Sequence, residues 1–325
     1  MTAETPIATS QAGAPILYGA LGAMLHLEAL VPEDGERLGR ACDRIFDWIG
    51  PSLRWTWSSV HSSVEPFAPD DLQLVSAYPG QLVDTESHAE PRAQRGASAM
   101  AAAQYDRFGV SCHGGVDRNV ASPSSFRFYA TASPPKEDRI FVTRAMLAFT
   151  VPRTCKPAEF QERVIDIASE LRLRWGAAGL TYGAWEHDRY GETRDAIYAH
   201  ARRYPGYDTG QHATLMNTWH ERVRTVSWLT LLGPAMEDRI REGGELLEGD
   251  DQLEITRAGE ALVLRAGERP EPGDSNRLEV PEAYAAVDRK IRPVRAASGV
   301  HFLAPWSERT TEAWLARFES TPGQR

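Results

Sequence analysis

The chain has 325 residues, 42% hydrophobic and 25% charged, with a formal net charge of −9. That size and apolar content support a sizeable core without help from metal or disulfide, and the acidic balance argues against direct contact with a nucleic-acid backbone. Three cysteines, Cys42, Cys112 and Cys155, with no CxxC pair, argue against a disulfide framework or a thiolate zinc site and fit a reducing compartment.

Residues 1–15 have the composition of a flexible tail, with neither the basic nor the apolar region of a signal peptide. No later run is long and apolar enough for a transmembrane helix, so a cytoplasmic location is expected. In GAMLHLEALVP, Leu25, Leu27, Ala29 and Val31 alternate with His26 and Glu28, which predicts a half-buried strand. Leu38, Ala41, Cys42, Ile45 and Ile49 then recur at helical spacing up to Gly50, and SLRWTWSSV reads as a strand. Residues 84–104 lack periodicity and bulk and are expected to form a mobile loop. QYDRFGVSCHGG and SSFRFYATAS predict two strands around the Gly114-Gly115 turn.

RAMLAFTVP alternates as a strand. AEFQERVIDIASELRLRW predicts one helix, with Phe160, Val164, Ile167, Leu171 and Trp175 on one face and Gly176 as its stop. AGLTYGAW predicts the next strand. Both passages run strand, Val-Pro, helix, strand, which is either an internal duplication of a β-α-β module or the coincidence of two common patterns. The corresponding division is an N-terminal module over 16–140, a C-terminal module over 141–305, which may be read together as one compact domain, and a tail over 306–325. In that tail Trp314, Leu315 and Phe318 suit a short helix. A helix at TRDAIYAHARRY, a hairpin at QLEITRAGEALVLRAG with Gly259 in its turn, and a helix at PEAYAAVDRKI complete the pattern. The fold class expected is α+β, with a largely antiparallel or mixed sheet and helices packed on it.

The chain carries no phosphate-loop, dinucleotide, zinc-protease or nucleophile-elbow motif, and no cofactor is expected. Cys112-His113 would suit a hydrolase, but neighbours on a strand point to opposite faces and make a poor dyad. His212 and His220, with Glu221, lack a third metal ligand of recognised spacing. His187 and Asp188 sit among Glu186, Arg189, Glu192 and Arg194 as a mixed, solvated surface. The acidic run EGGELLEGDDQLEI is more suggestive. It holds Glu242, Glu245, Glu248, Asp250, Asp251 and Glu254 without a basic residue, and Glu268, Glu271 and Asp274 follow. It is either an ordinary solvated surface or a landing site for a basic protein partner.

TVSWLTLLGP, Thr225 to Pro234, carries no acid, base or thiol, and predicts a buried strand with a turn or helix start at Gly233-Pro234. Around it stand YPGYD (Tyr204–Asp208), Gly243-Gly244, LVLRAGERPEPGDSNR (Leu262–Arg277) and AYAAVDRKIRPVR (Ala283–Arg295). In that order they resemble the bacterial type VI secretion immunity family, over roughly residues 16–305. Leu231 departs from the phenylalanine usual there. The resemblance implies an immunity protein, not an enzyme, that binds and neutralises a cognate toxin such as a nuclease. Its acidic run would meet a basic toxin, with one of the tryptophans as the apolar anchor. A hydrolase using Cys112 or a histidine, and a scaffold component, remain the alternatives.

Overall fold

The computed structural model describes residues 4–59, 63–81, 107–133, 142–184, 190–209, 222–244, 247–249, 251–296 and 302–319. The elements in chain order are β1 (Ala8–Thr9), β2 (Pro15–Leu27), α1 (Asp34–Ile49), β3 (Trp55–Ser58), β4 (Val64–Pro66), α2 (Gln73–Gln81), β5 (Arg107–His113), β6 (Ser125–Ser133), β7 (Val142–Pro152), α3 (Pro157–Ser169), β8 (Leu173–Gly183), α4 (Tyr190–Arg203), β9 (Leu229–Leu232), α5 (Pro234–Glu242), β10 (Leu253–Ala258), β11 (Ala261–Ala266), α6 (Glu282–Lys290) and α7 (Glu308–Leu315). Among the described residues, eleven strands form one antiparallel sheet in the order β10-β11-β9-β8-β2-β7-β6-β5-β3-β4, with β1 pairing β2 from off that path. The α+β class with an antiparallel sheet is the architecture found.

The sheet is centred on β2, which pairs β7 on one side and β8 on the other. Leu21, Ala23 and Leu25 of β2 stand opposite Val151, Phe149 and Leu147 of β7. The Phe149 ring meets Trp48 of α1 edge-on at 5.9 Å, and Trp48 lies 6.2 Å from Phe160 of α3. α1 and α3 therefore cover this face, and their apolar stripes, Leu38 to Ile49 and Phe160 to Ile167, are the buried ones. On the other face His26 stacks on Trp175 of β8 at 4.1 Å, and Arg224 reaches the Met24 sulfur at 3.6 Å.

Two expectations need correction. The strand containing GAMLHL is covered on both faces, and His26 is buried. Glu28 lies beyond the strand end, paired with Arg174 at 3.6 Å. The helix after Pro157 ends at Ser169, so Leu173 and Trp175 belong to β8 and Gly176 lies inside that strand. LRLRW satisfies a period of two as well as a helical stripe, and the unpaired edge of β2 selects the strand.

The two strand-helix-strand passages place β2 and β7 side by side, but their following strands differ in position. β8 pairs β2, whereas β3 pairs β4 and β5. The apolar segment around Trp228 is buried as expected. β9 is wholly buried between β8 and β11, and Trp228 lies parallel to Phe160 at 6.4 Å. Gly233 closes the strand where its N–H donates to the Arg174 carbonyl at 2.9 Å, and Pro234 opens α5.

A Cβ on Gly233 would sit 1.8 Å from the Leu173 carbonyl oxygen. Gly233→Ala is therefore expected to destabilise the fold by about 2 kcal/mol or more, read by urea unfolding; an unchanged midpoint would contradict this packing.

Candidate functional site

The nucleophile reading fails on geometry. Cys112 is fully buried between Thr56 and Phe126 of the flanking strands, 3.4 Å from the Thr56 hydroxyl. Burial pushes its thiol up to about 12, so it stays protonated at neutral pH. The His113 ring instead accepts the Gly115 N–H at 3.2 Å. His187 and Asp188, with Glu186 and Arg189, and His212, His220 and Glu221 lie outside the described residues. Among the described residues no group of three or more His, Cys, Asp or Glu side chains could hold a metal. An open hollow of about 460 Å³ beside α1 is lined by Phe46, Asp47, Gly50, Pro51, Leu53, Phe67 and Pro69, and the Asp47 carboxylate has no histidine, hydroxyl, thiol or cationic side chain beside it in that lining.

The acidic residues converge through the register of the β10–β11 hairpin. Leu253 pairs Ala266, and the Gly267 N–H donates to the Gln252 carbonyl at 2.9 Å. Asp251 and Glu268, seventeen positions apart in sequence (268 − 251), therefore share one end of the hairpin. A Cβ on Gly267 would lie 3.8 Å from the Ala283 methyl, which brings the exposed Glu282 at the start of α6 to the same end. Glu242 is exposed in the last turn of α5, and Glu248 in the connection to β10. Glu254 is exposed too, but it is paired with Arg265 across the hairpin. Glu245 and Asp250 lie outside the described residues. No ion pair to Glu242, Glu248, Asp251, Glu268 or Glu282 occurs among the described residues.

The C-terminal half also holds a cluster of buried charge that the sequence did not announce. Arg224 pairs Asp208 at 3.3 Å, and Arg295 pairs Asp288 at 2.7 Å, all four side chains being buried. Arg317, also buried, donates to the carbonyls of Pro205 (2.8 Å) and Trp314 (3.0 Å) and to the Thr225 hydroxyl (2.9 Å). Arg295 donates further to the carbonyls of Arg224 (2.7 Å) and Leu315 (2.5 Å). Burial pulls the Arg317 cation down to about 9, which leaves it charged at neutral pH, and burial raises the Asp288 carboxyl. YPGYD supplies Pro205 and Asp208, VDRKIRPVR supplies Asp288 and Arg295, and residues 302–319 supply Arg317 and its rings. Arg317 lies 3.5 Å over the Trp314 ring and 4.3 Å over Phe318. Gly206 completes the joint: its N–H donates to the Pro272 carbonyl at 2.8 Å, and a Cβ there would meet the Glu271 oxygen at 1.8 Å. Only the paired position of Asp208 after YPG hinted at this; the C-terminal arginine carried no signal.

Three comparisons bear on the chain. A family model described as TsiV, type VI immunity for VRR-NUC, matches residues 38–318. A solved structure of a Pseudomonas aeruginosa T6SS protein superposes with a TM-score of 0.70 at 20% identity, covering 97% of this chain and 87% of that one, which establishes a shared fold. A search of curated proteins finds no match.

Arg224→Met removes the buried guanidinium that pairs Asp208. It is expected to cost about 3–5 kcal/mol in chemical unfolding, most of which returns in the Asp208→Leu, Arg224→Met double variant; a neutral single variant would contradict the pairing. Buried His26 and half-buried His200 contribute to the acid response. Burial, with Arg224 and Arg174, holds His26 well below the usual imidazole range, and burial, with Arg153 and Arg203, pulls His200 to about 4. Below the unfolded value near pH 6.5 the unfolded chain binds protons that the folded chain refuses, so stability falls as pH drops from about 6.5 towards 4. Thermal melts should show this decline, and a shallower one for His200→Gln.

Proposed function

The chain belongs to the TsiV family of type VI immunity proteins, and on that premise we propose that it neutralises a VRR-NUC nuclease toxin by covering the cationic face that grips nucleic acid. A nuclease must present positive charge to a phosphate backbone. The observation that carries the reading is the convergence of two acidic runs at one end of the β10–β11 hairpin, where Asp251, Glu268 and Glu282 meet. Glu242, Glu245, Glu248, Asp250, Asp251 and Glu254 form the proposed contact, with Glu254 the least available because Arg265 holds it.

The inhibitor acts by occlusion and needs no turnover, which agrees with the buried, protonated Cys112. It is placed in the cytoplasm, where a nuclease finds its substrate. No helix among the described residues is long and apolar enough to cross a membrane.

Nanomolar immunity requires about −12 kcal/mol. Rim carboxylates steer and orient more than they bind, so an apolar anchor is required. Seven of the nine tryptophans lie among the described residues, and none of the seven is exposed. Trp175, Trp228, Trp306 and Trp314 are buried in the core, and Trp48, Trp55 and Trp57 are half-buried.

Reversing Glu248, Asp251 and Glu268 to lysine together should slow association with the toxin by about tenfold or more at low salt, with little effect on dissociation. The difference should shrink as ionic strength rises. An association rate indifferent both to the substitutions and to salt would reject this surface.

A further inference from the structure

Among the described residues, Leu278 combines two properties that rarely occur together. Its side chain is 76% exposed, and its backbone is left-handed, at φ 60° and ψ 24°. A residue closing a short helical turn in that conformation is ordinarily glycine or asparagine, because a branched side chain crowds the following carbonyl. Neither burial nor backbone preference accounts for a leucine here.

The loop that presents it is held at its base. Asp274 and Glu279 exchange backbone hydrogen bonds at 2.9 and 3.0 Å. The Asp274 carboxylate accepts the Asn276 N–H at 3.0 Å and Arg203 of α4 at 3.1 Å. Gly273, at φ +62°, lets the chain close, since a Cβ there would stand 2.7 Å from the Glu279 carbonyl oxygen. The joint between Gly206 and residues 271–272 ties this loop to the buried arginine cluster. A strained conformation survives where its surroundings fix it, and such positions concentrate at sites of binding.

We propose that Leu278 is the apolar anchor of the inhibitory interface, inserting into a hydrophobic socket on a cationic protein partner. The inference rests on the reading of the chain as a nuclease inhibitor and names the contact that reading lacks. The charge around the loop sets the partner's sign: Glu268, Glu271, Glu279 and Glu282 are exposed, and of the exposed cations Arg203, Arg269 and Arg277, two, Arg203 and Arg277, are turned to Asp274. The socket is therefore one ringed by lysine or arginine. A preformed loop also spares the ordering cost that a flexible anchor would incur on binding.

The fold and the interface should make opposite demands on this position. Leu278→Asn and Leu278→Gly relieve the backbone, so Tm should stay level or rise by about 1–2 °C. The same variants should weaken binding of the cognate VRR-NUC nuclease by about tenfold or more, mainly through faster dissociation. Leu278→Met should keep binding within about threefold of the wild type. If the wild type binds and Leu278→Asn binds equally, the anchor is refuted while the inhibitor reading stands. A wild-type chain that fails to bind the nuclease removes both. A Tm that falls markedly in Leu278→Asn would show the leucine to be a packing residue and would overturn the proposal.

Discussion

Three arginines taken out of water organise the C-terminal half of this molecule. Among the described residues, Arg224, Arg295 and Arg317 share a buried layer with two buried carboxylates, Asp208 and Asp288, and backbone carbonyls accept from Arg295 and Arg317. Desolvating a guanidinium is costly, and such clusters add little net stability compared with an apolar core. What they supply is geometry. Apart from that of Trp314, each carbonyl that accepts from Arg317 or Arg295 belongs to a segment distant in sequence, so the YPG turn, the strand around Trp228 and the closing helix are held in one arrangement. That arrangement fixes the loop from Glu268 to Glu282, and with it the acidic end of the sheet.

This accounts for the kind of residue that carries the family resemblance. Tyr-Pro-Gly-Tyr-Asp, Pro-Gly-Asp and the Asp-Arg-Lys to Val-Arg stretch are contacts of the framework. Gly206 permits a backbone approach no other residue allows, Asp274 closes a loop, and Asp288 neutralises Arg295.

Much of this was legible in the sequence because periodicity reports burial. The helix from Asp34 to Ile49, the hairpin around Gly259 and the buried strand at Leu229–Leu232 follow from spacing and turn residues alone. The misreadings share one cause. His26 and Trp175 lie where two strands meet in the centre of a sheet covered on both faces, so polarity stopped marking the solvent side. For the candidate site, the acidic run was visible but its convergence with Glu268 and Glu282 was not, since hairpin register is a tertiary fact. The left-handed backbone of Leu278 left no trace, because the residue that normally marks such a turn is absent.

The central claim is that this chain acts by covering a nuclease. It is tested most directly by titrating the purified chain into a fixed amount of the VRR-NUC toxin and following nucleic-acid cleavage. The account predicts a linear loss of activity that ends at one inhibitor per toxin, and full recovery of the toxin when the two are separated. Inactivation by far less than an equimolar amount, or a toxin that remains dead after separation, would show turnover in place of occlusion and would contradict it.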